Sequence, residues 1–134
     1  MTFKLINPES LGAPKGFSNG VLADAGGRLL FIAGQIGWDE KQTFVSADFV
    51  GQFDQALANV MAVVSEAGGD AEQIARLVIY VTDKTEYTRN LKAVGDSYRA
   101  RMGRHFPAMV LIEVKSLLED AAKVEIEAVA VLNS

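Results

Sequence analysis

Two glutamates, Glu125 and Glu127, alternate with Val124, Ile126 and Ala128 in the run from Lys123 to Leu132. Residues two apart on a strand project from the same face. A carboxylate set among apolar neighbours on a central strand is not freely solvated. In a partly dry cleft it is suited to accept a proton from water as a general base, or to pass one to a leaving nitrogen. The competing reading is a pair of solvated or ion-paired glutamates with no chemistry. Other candidates narrow quickly. The chain has no cysteine, which removes thiolate nucleophiles, disulfides and cysteine zinc sites. His105 is the only histidine. A triad or a histidine metal cluster has no visible partners for it, so a structural role in a helix-to-strand turn is expected. Arg101 and Arg104 lie on the same turn and suit a helix C-terminus, or else turn a cation into a site. Ser18 and Asn19 either line a pocket or stabilise a turn. Gly34 either admits a close-lying group or packs a strand. Trp38 either covers a cleft or packs at an interface.

The elements that must position these residues follow from spacing. Val21–Ala25 and Arg28–Ile36 flank Gly26-Gly27 and read as a hairpin. Residues 37–47 read as a loop, with Ser46 or Asp48 capping the helix that follows. There Phe49, Phe53, Ala56, Leu57, Val60 and Val64 form one stripe, and Gly68-Gly69 ends it. Asp70 and Gln73 suggest a short capping turn before a strand over Ala75–Thr82. Asp83 and Glu86 fit a capping box, opening a helix whose stripe is Tyr87, Leu91, Val94, Tyr98 and Met102 and which Gly103 closes. Strands over Ala108–Val114 and Lys123–Leu132 complete the order ββαβαββ. Two amphipathic helices cover one sheet face. Yet Leu29 and Phe31 oppose Leu30 and Ile32, Val110 and Ile112 oppose Met109 and Leu111, and Val129 and Val131 oppose Ala128 and Ala130. Strands apolar on both faces call for cover on both, and the cover expected for the second face is other copies of the chain.

The whole, 134 residues, suits a single domain spanning 1–134. A net charge of −4 and the absence of a basic stripe argue against binding nucleic acid. No signal-like or membrane-length apolar run is visible, and a cytoplasmic location is expected.

The run FPAMVLIEV, Phe106–Val114, followed by KVEIEAVAV, Lys123–Val131, resembles the C-terminal pair of the Rid (reactive intermediate deaminase, also called YjgF) family: Pro-Ala-Arg ending in Glu-Val, a loop, then Ile-Glu-Ile-Glu-Ala. Phe17–Val21 resembles that family's Tyr-Ser-Gln-Ala-Val, Ile32–Ile36 its Ser-Gly-Gln-Ile, and Tyr98-Arg99 with Gly103 its Tyr-Arg-x-x-x-Gly. The matching pieces run in order from Phe17 to Val131. The resemblance implies a chorismate-mutase-like α+β fold and a homotrimer with a central barrel and ligand clefts between subunits. It also implies hydrolysis of imines or enamines to carbonyl compounds and ammonia, with no metal or organic cofactor. The alternative is a trimer that binds a small metabolite without catalysis. An RNA-cleaving activity, as assigned to some relatives, fits the acidic surface poorly.

By the same resemblance Glu125 is the catalytic carboxylate, and Phe17, Ser18, Asn19, Gly34, Gly95 and Met109 bind substrate. Three positions depart from the pattern. Met109 stands where the family has the arginine that grips a substrate carboxylate, Phe17 replaces a tyrosine and Gly95 an asparagine. All three changes make the site more apolar. Glu113 is expected in a structural ion pair across an interface. A pocket containing Met109, Phe17 and Glu125, contributed by two chains, is expected, with Met109 and Glu125 on the same sheet face.

Overall fold

The computed structural model describes residues 3–24 and 26–133. Strand β1 is Lys4–Ile6, β2 Gly20–Leu22 and β3 Arg28–Gln35; helix α1 is Phe49–Glu66; β4 is Ile74–Val81; α2 Lys84–Thr88 and α3 Leu91–Met102 follow; β5 is Ala108–Glu113 and β6 Val124–Leu132. The architecture is the expected mixed α+β one, with one strand more at the N-terminus and the second helix in two pieces.

Strands β3, β6, β4 and β5 form one sheet in that order. β6 runs antiparallel to both neighbours and β4 parallel to β5. Parallel strands need a crossover, which α2 and α3 provide. Asp48 starts α1 by accepting a hydrogen bond from Gly51 N at 2.7 Å, and Gly68, at φ 88°, turns the chain out of it. Asp70 and Gln73 close a reciprocal capping box. Phe53, Ala56, Leu57, Val60 and Val64 then pack on Leu77, Ile79, Val124 and Ile126 in a single core on the helix side.

Two expectations fail. The Gly26-Gly27 hairpin does not form: β2 pairs with β1 in a separate two-stranded sheet. Gly26 does turn the chain, at φ 98°, but the partner of β2 comes from the N-terminal segment, while Ala25 lies outside the described residues. The second helix is not continuous either. Asp83 caps only α2, accepting from Thr85 N, while Glu86 turns to Lys123 and closes no capping box. Asn90, at φ −122°, breaks the helix before α3.

On the opposite sheet face, among the described residues, Val78 and Val131 are buried but the outer strands stay open. Leu29 and Phe31 are 63% and 72% exposed, and Val110 and Ile112 about as open as an ordinary surface residue at 40% and 41%. Among the described residues no helix is long and apolar enough to cross a membrane.

Candidate functional site

Glu125 stands beside a break in the sheet ladder. Ile32 pairs with Ala128 and Gln35 with Ile126, so Ala33 and Gly34 together face Glu127 alone. Such a bulge bends its strand and re-aims nearby side chains. A Cβ on Gly34 would lie 2.5 Å from Glu125 Oε2 and 2.7 Å from its Cδ. The carboxylate therefore rests on the glycine, and the close-lying group that Gly34 admits includes the side chain of Glu125.

Tyr80 separates the two glutamates chemically. It pairs across the ladder with Glu125, while its hydroxyl donates to Glu127 Oε1. That hydrogen bond, with burial second, raises the pKa of the Tyr80 hydroxyl. Glu127 is thus committed to a neighbour. Glu125 has no hydrogen-bond or ion-pair partner among the described residues, and its oxygens are open to water or a ligand.

Met109 and Glu125 do not share a face. Met109 pairs with Leu77 and Glu125 with Tyr80. Positions an odd number apart on one strand point oppositely, so Met109 faces the helices and Glu125 the uncovered side. Among the described residues the chain therefore holds them on opposite sides of its sheet.

Met109 instead borders two hollows of about 280 Å³ each at the edge strand β5. One lies under α3 with Gly95, Tyr98, Arg99 and Phe106. The other runs along the strand edge with Phe17, Ser18, Asn19 and Arg76. The structure thus groups Met109 with Gly95, Phe17, Ser18 and Asn19, and groups Gly34 with Glu125. Ser18 is buried and already engaged: its Oγ donates to Phe106 O at 2.5 Å. Asn19 is held by Asn7, whose Oδ1 accepts from Asn19 N at 2.8 Å. A larger hollow of about 780 Å³ lies between residues 44–47 and 115–123 and includes none of these groups. One of its polar side chains, Gln52, serves the fold: it bonds Ser46 O, Ala121 O and Lys123 N.

Most of the remaining candidates have structural contacts. His105 Nε2 lies 2.7 Å from Ile74 O, joining the α3–β5 turn to β4. Arg101 pairs with Asp54 on α1 at 2.9 Å. This bond, together with the Ser97 hydroxyl, outweighs burial and holds the Asp54 carboxyl below its usual pKa. Arg104 lines a separate hollow with Phe3 and Glu72. Glu113 accepts from Lys84 N at 2.9 Å, a bond within the chain at the start of α2. Trp38 packs on Phe44. Tyr80 and Arg99 were not legible as site residues. Tyr80 has the right parity on β4, but only the register shows what it meets. Arg99 is four residues beyond Gly95, a spacing whose meaning depends on the missing side chain.

The helix-backed mixed sheet is a chorismate-mutase-like α+β fold. The chain belongs to the family described as endoribonuclease L-PSP, whose model matches residues 8–132, the family of the Rid proteins. It is 35% identical over 108 residues to the 2-iminobutanoate/2-iminopropanoate deaminase of Escherichia coli, covering 78% of this chain and 80% of that one. It is 33% identical over 119 residues to a RutC family protein of Pyrococcus horikoshii, covering 88% and 90%. A crystal structure of a Rid family protein of unknown function from Yersinia pestis is similar over 98% of this chain and 100% of that chain, with a TM-score of 0.87 and 34% identity.

Proposed function

We propose that the protein hydrolyses a small imine or enamine and releases ammonia, with Glu125 as the catalytic carboxylate. The observation that carries this reading is the Glu125 carboxylate, seated on Gly34 and without a hydrogen-bond or ion-pair partner among the described residues. It takes a proton from water as the oxygen attacks the imine carbon. It returns that proton to nitrogen, giving the carbinolamine, and then carries the proton of the carbinolamine hydroxyl to the amino nitrogen as the C–N bond breaks, releasing carbonyl compound and ammonia. An enamine first gains a proton at carbon to become the imine. Imines already react with water, so positioning and one proton shuttle suffice. No metal enters these steps.

The reading includes a homotrimer. The apolar side of the sheet, with Phe31 and Leu29 exposed, is then covered by other copies, and Glu125 of one copy reaches the Phe17–Met109 edge of the next. Substrate is held by Phe17, Ser18, Asn19, Gly34, Gly95 and Met109. A cytoplasmic setting suits a chain without cysteine. Nucleic acid is a poor partner for a net charge of −4.

A second reading, a trimer that binds a metabolite without turnover, draws on one observation: among the described residues, the hollow under α3 has no Asp, Glu or His in its lining. A panel of imines with a trap for unreacted substrate separates the two. Turnover lost in Glu125→Ala supports the enzyme; saturable binding without turnover supports the binding protein.

A further inference from the structure

On the side of the sheet away from the helices, β4 and β6 place Tyr80, Glu125 and Glu127 side by side. Tyr80 stands opposite Glu125, and Val78 opposite Glu127. The Tyr80 ring therefore reaches Glu127 along the diagonal, a span of about 7–8 Å within reach of an aromatic side chain, and its hydroxyl donates to Glu127 Oε1. Glu125 and Glu127 are two apart on β6, share a face and lie roughly 7 Å apart along the strand. Neither is fully exposed, so water screens their mutual repulsion only in part. Little else restrains Glu127. Among the described residues no other group donates to it. Arg76, on the same face of β4, is exposed and has the smallest effect of the charges around Tyr80. β5 brings Val110 and Ile112 to this face, and β3 brings Phe31 and the Ala33–Gly34 bulge, none of them charged.

We infer that Tyr80 is a positioning residue for the Glu125 carboxylate: its hydroxyl holds Glu127 on the diagonal, keeps the second carboxylate of the face away from the first, and so leaves Glu125 seated on Gly34. A phenol suits this task. It donates a hydrogen bond without bringing a charge, whereas a cation in its place would hold Glu127 but also draw Glu125 off the glycine. The ring fixes the length of the tie, because its base is opposite Glu125 and its tip is at Glu127. The inference rests on the reading of Glu125 as the reacting carboxylate and adds what keeps that group in place.

The test is a double-mutant cycle on the full chain with two readouts. The first is the backbone amide resonance of Gly34, which reports where the Glu125 carboxylate sits and needs no substrate. The second is kcat and KM on an imine that the wild type turns over. Tyr80→Phe frees Glu127. The Gly34 resonance is expected to move, and kcat to fall about tenfold with KM unchanged, the scale of a like-charge repulsion at roughly 7 Å. Adding Glu127→Gln to Tyr80→Phe removes the freed charge and brings both readouts back toward the wild type. A purely structural loss would instead add to the first. Glu127→Gln alone, whose amide oxygen still accepts from Tyr80, costs less than Tyr80→Phe. Tyr80 is only partly buried and the substitution deletes one oxygen, so the variant is expected to fold. A Gly34 resonance unmoved by Tyr80→Phe, a double variant worse than Tyr80→Phe, or a Tyr80→Phe chain that does not fold would overturn the inference. The two readings fail separately. A Gly34 shift that Glu127→Gln reverses, in a protein that hydrolyses no imine, removes the deaminase and keeps the tie; Glu125-dependent turnover with Gly34 unmoved does the reverse.

Discussion

At Glu125 and Gly34 a single missing side chain sets the geometry. Gly34→Ala places a methyl 2.5 Å from the carboxylate oxygen, and the carboxylate has to move. A misplacement near 1 Å costs on the order of 10²-fold in rate, so kcat on a competent imine is expected to fall by about that much. The fold should tolerate it, because the atoms in the way belong to a side chain; a thermal melt beside the kinetics checks both parts. An unchanged kcat would mean that the position of Glu125 is irrelevant to chemistry. At residue 109 the expectation is differential. Met109→Arg adds a guanidinium to the hollow that Arg99 already borders. Carboxylate-bearing imines should gain about tenfold or more in kcat/KM over imines lacking a carboxylate. The larger side chain and its like charge beside Arg99 oppose the gain, so the ratio between substrates, measured on a folded variant, is the readout. Met109 and Gly95 were singled out only through the family resemblance, as departures from its arginine and asparagine. Their relation to Glu125 was not legible: each strand shows its own two-residue alternation, but the phase between strands is set by pairing, which alternation does not encode.

The elements show the same division between local and long-range information. The α1 stripe, the Asp48 cap, the Asp70–Gln73 capping box and the strand alternations are local and could be read directly. The failed hairpin was a tight-turn signal correctly located at Gly26 but joined to the wrong partner, since β1 takes up β2 across residues 7–19. The break between α2 and α3 was masked because Tyr87, Leu91 and Val94 keep helical spacing across Asn90. What joins the two long helices is the Asp54 carboxylate, which accepts from Arg101 Nε at 3.0 Å and from Ser97 Oγ at 2.7 Å. Its folded pKa lies below the ordinary 3.8. The carboxylate therefore contributes stability above that value and loses it as pH falls through the lower folded value. The pair is partly exposed, Asp54 at 42%, and screening limits its worth. Asp54→Asn is expected to destabilise by about 0.5–1 kcal/mol at neutral pH. Urea unfolding at neutral and strongly acidic pH checks this: the difference between the proteins should vanish in acid, and a difference that persists there would assign it to packing.

For the whole molecule, the uncovered sheet face decides the assembly. Leu29, Phe31, Val110 and Ile112 form an exposed apolar surface beside Glu125, and such a surface is best buried against another copy. Light scattering on a size-exclusion peak should give three times the chain mass. Phe31→Glu should dissociate the assembly and abolish hydrolysis together, since Met109 and Glu125 lie on opposite sides of one chain's sheet. A wild-type monomer at micromolar concentration would contradict this. Apolarity on both faces made the need for cover legible in the sequence; the number of copies came only with the family resemblance. The most direct measurement remains ammonia release from a panel of amine-derived and amino-acid-derived imines, with a trap for unreacted imine, by the wild type and by Glu125→Ala of the same assembly state. The expected result is saturable turnover of at least one imine by the wild type, reduced to the uncatalysed rate in the variant. Wild-type release no faster than buffer across the panel, or turnover undiminished in Glu125→Ala, would contradict the assignment of Glu125 as the catalytic carboxylate.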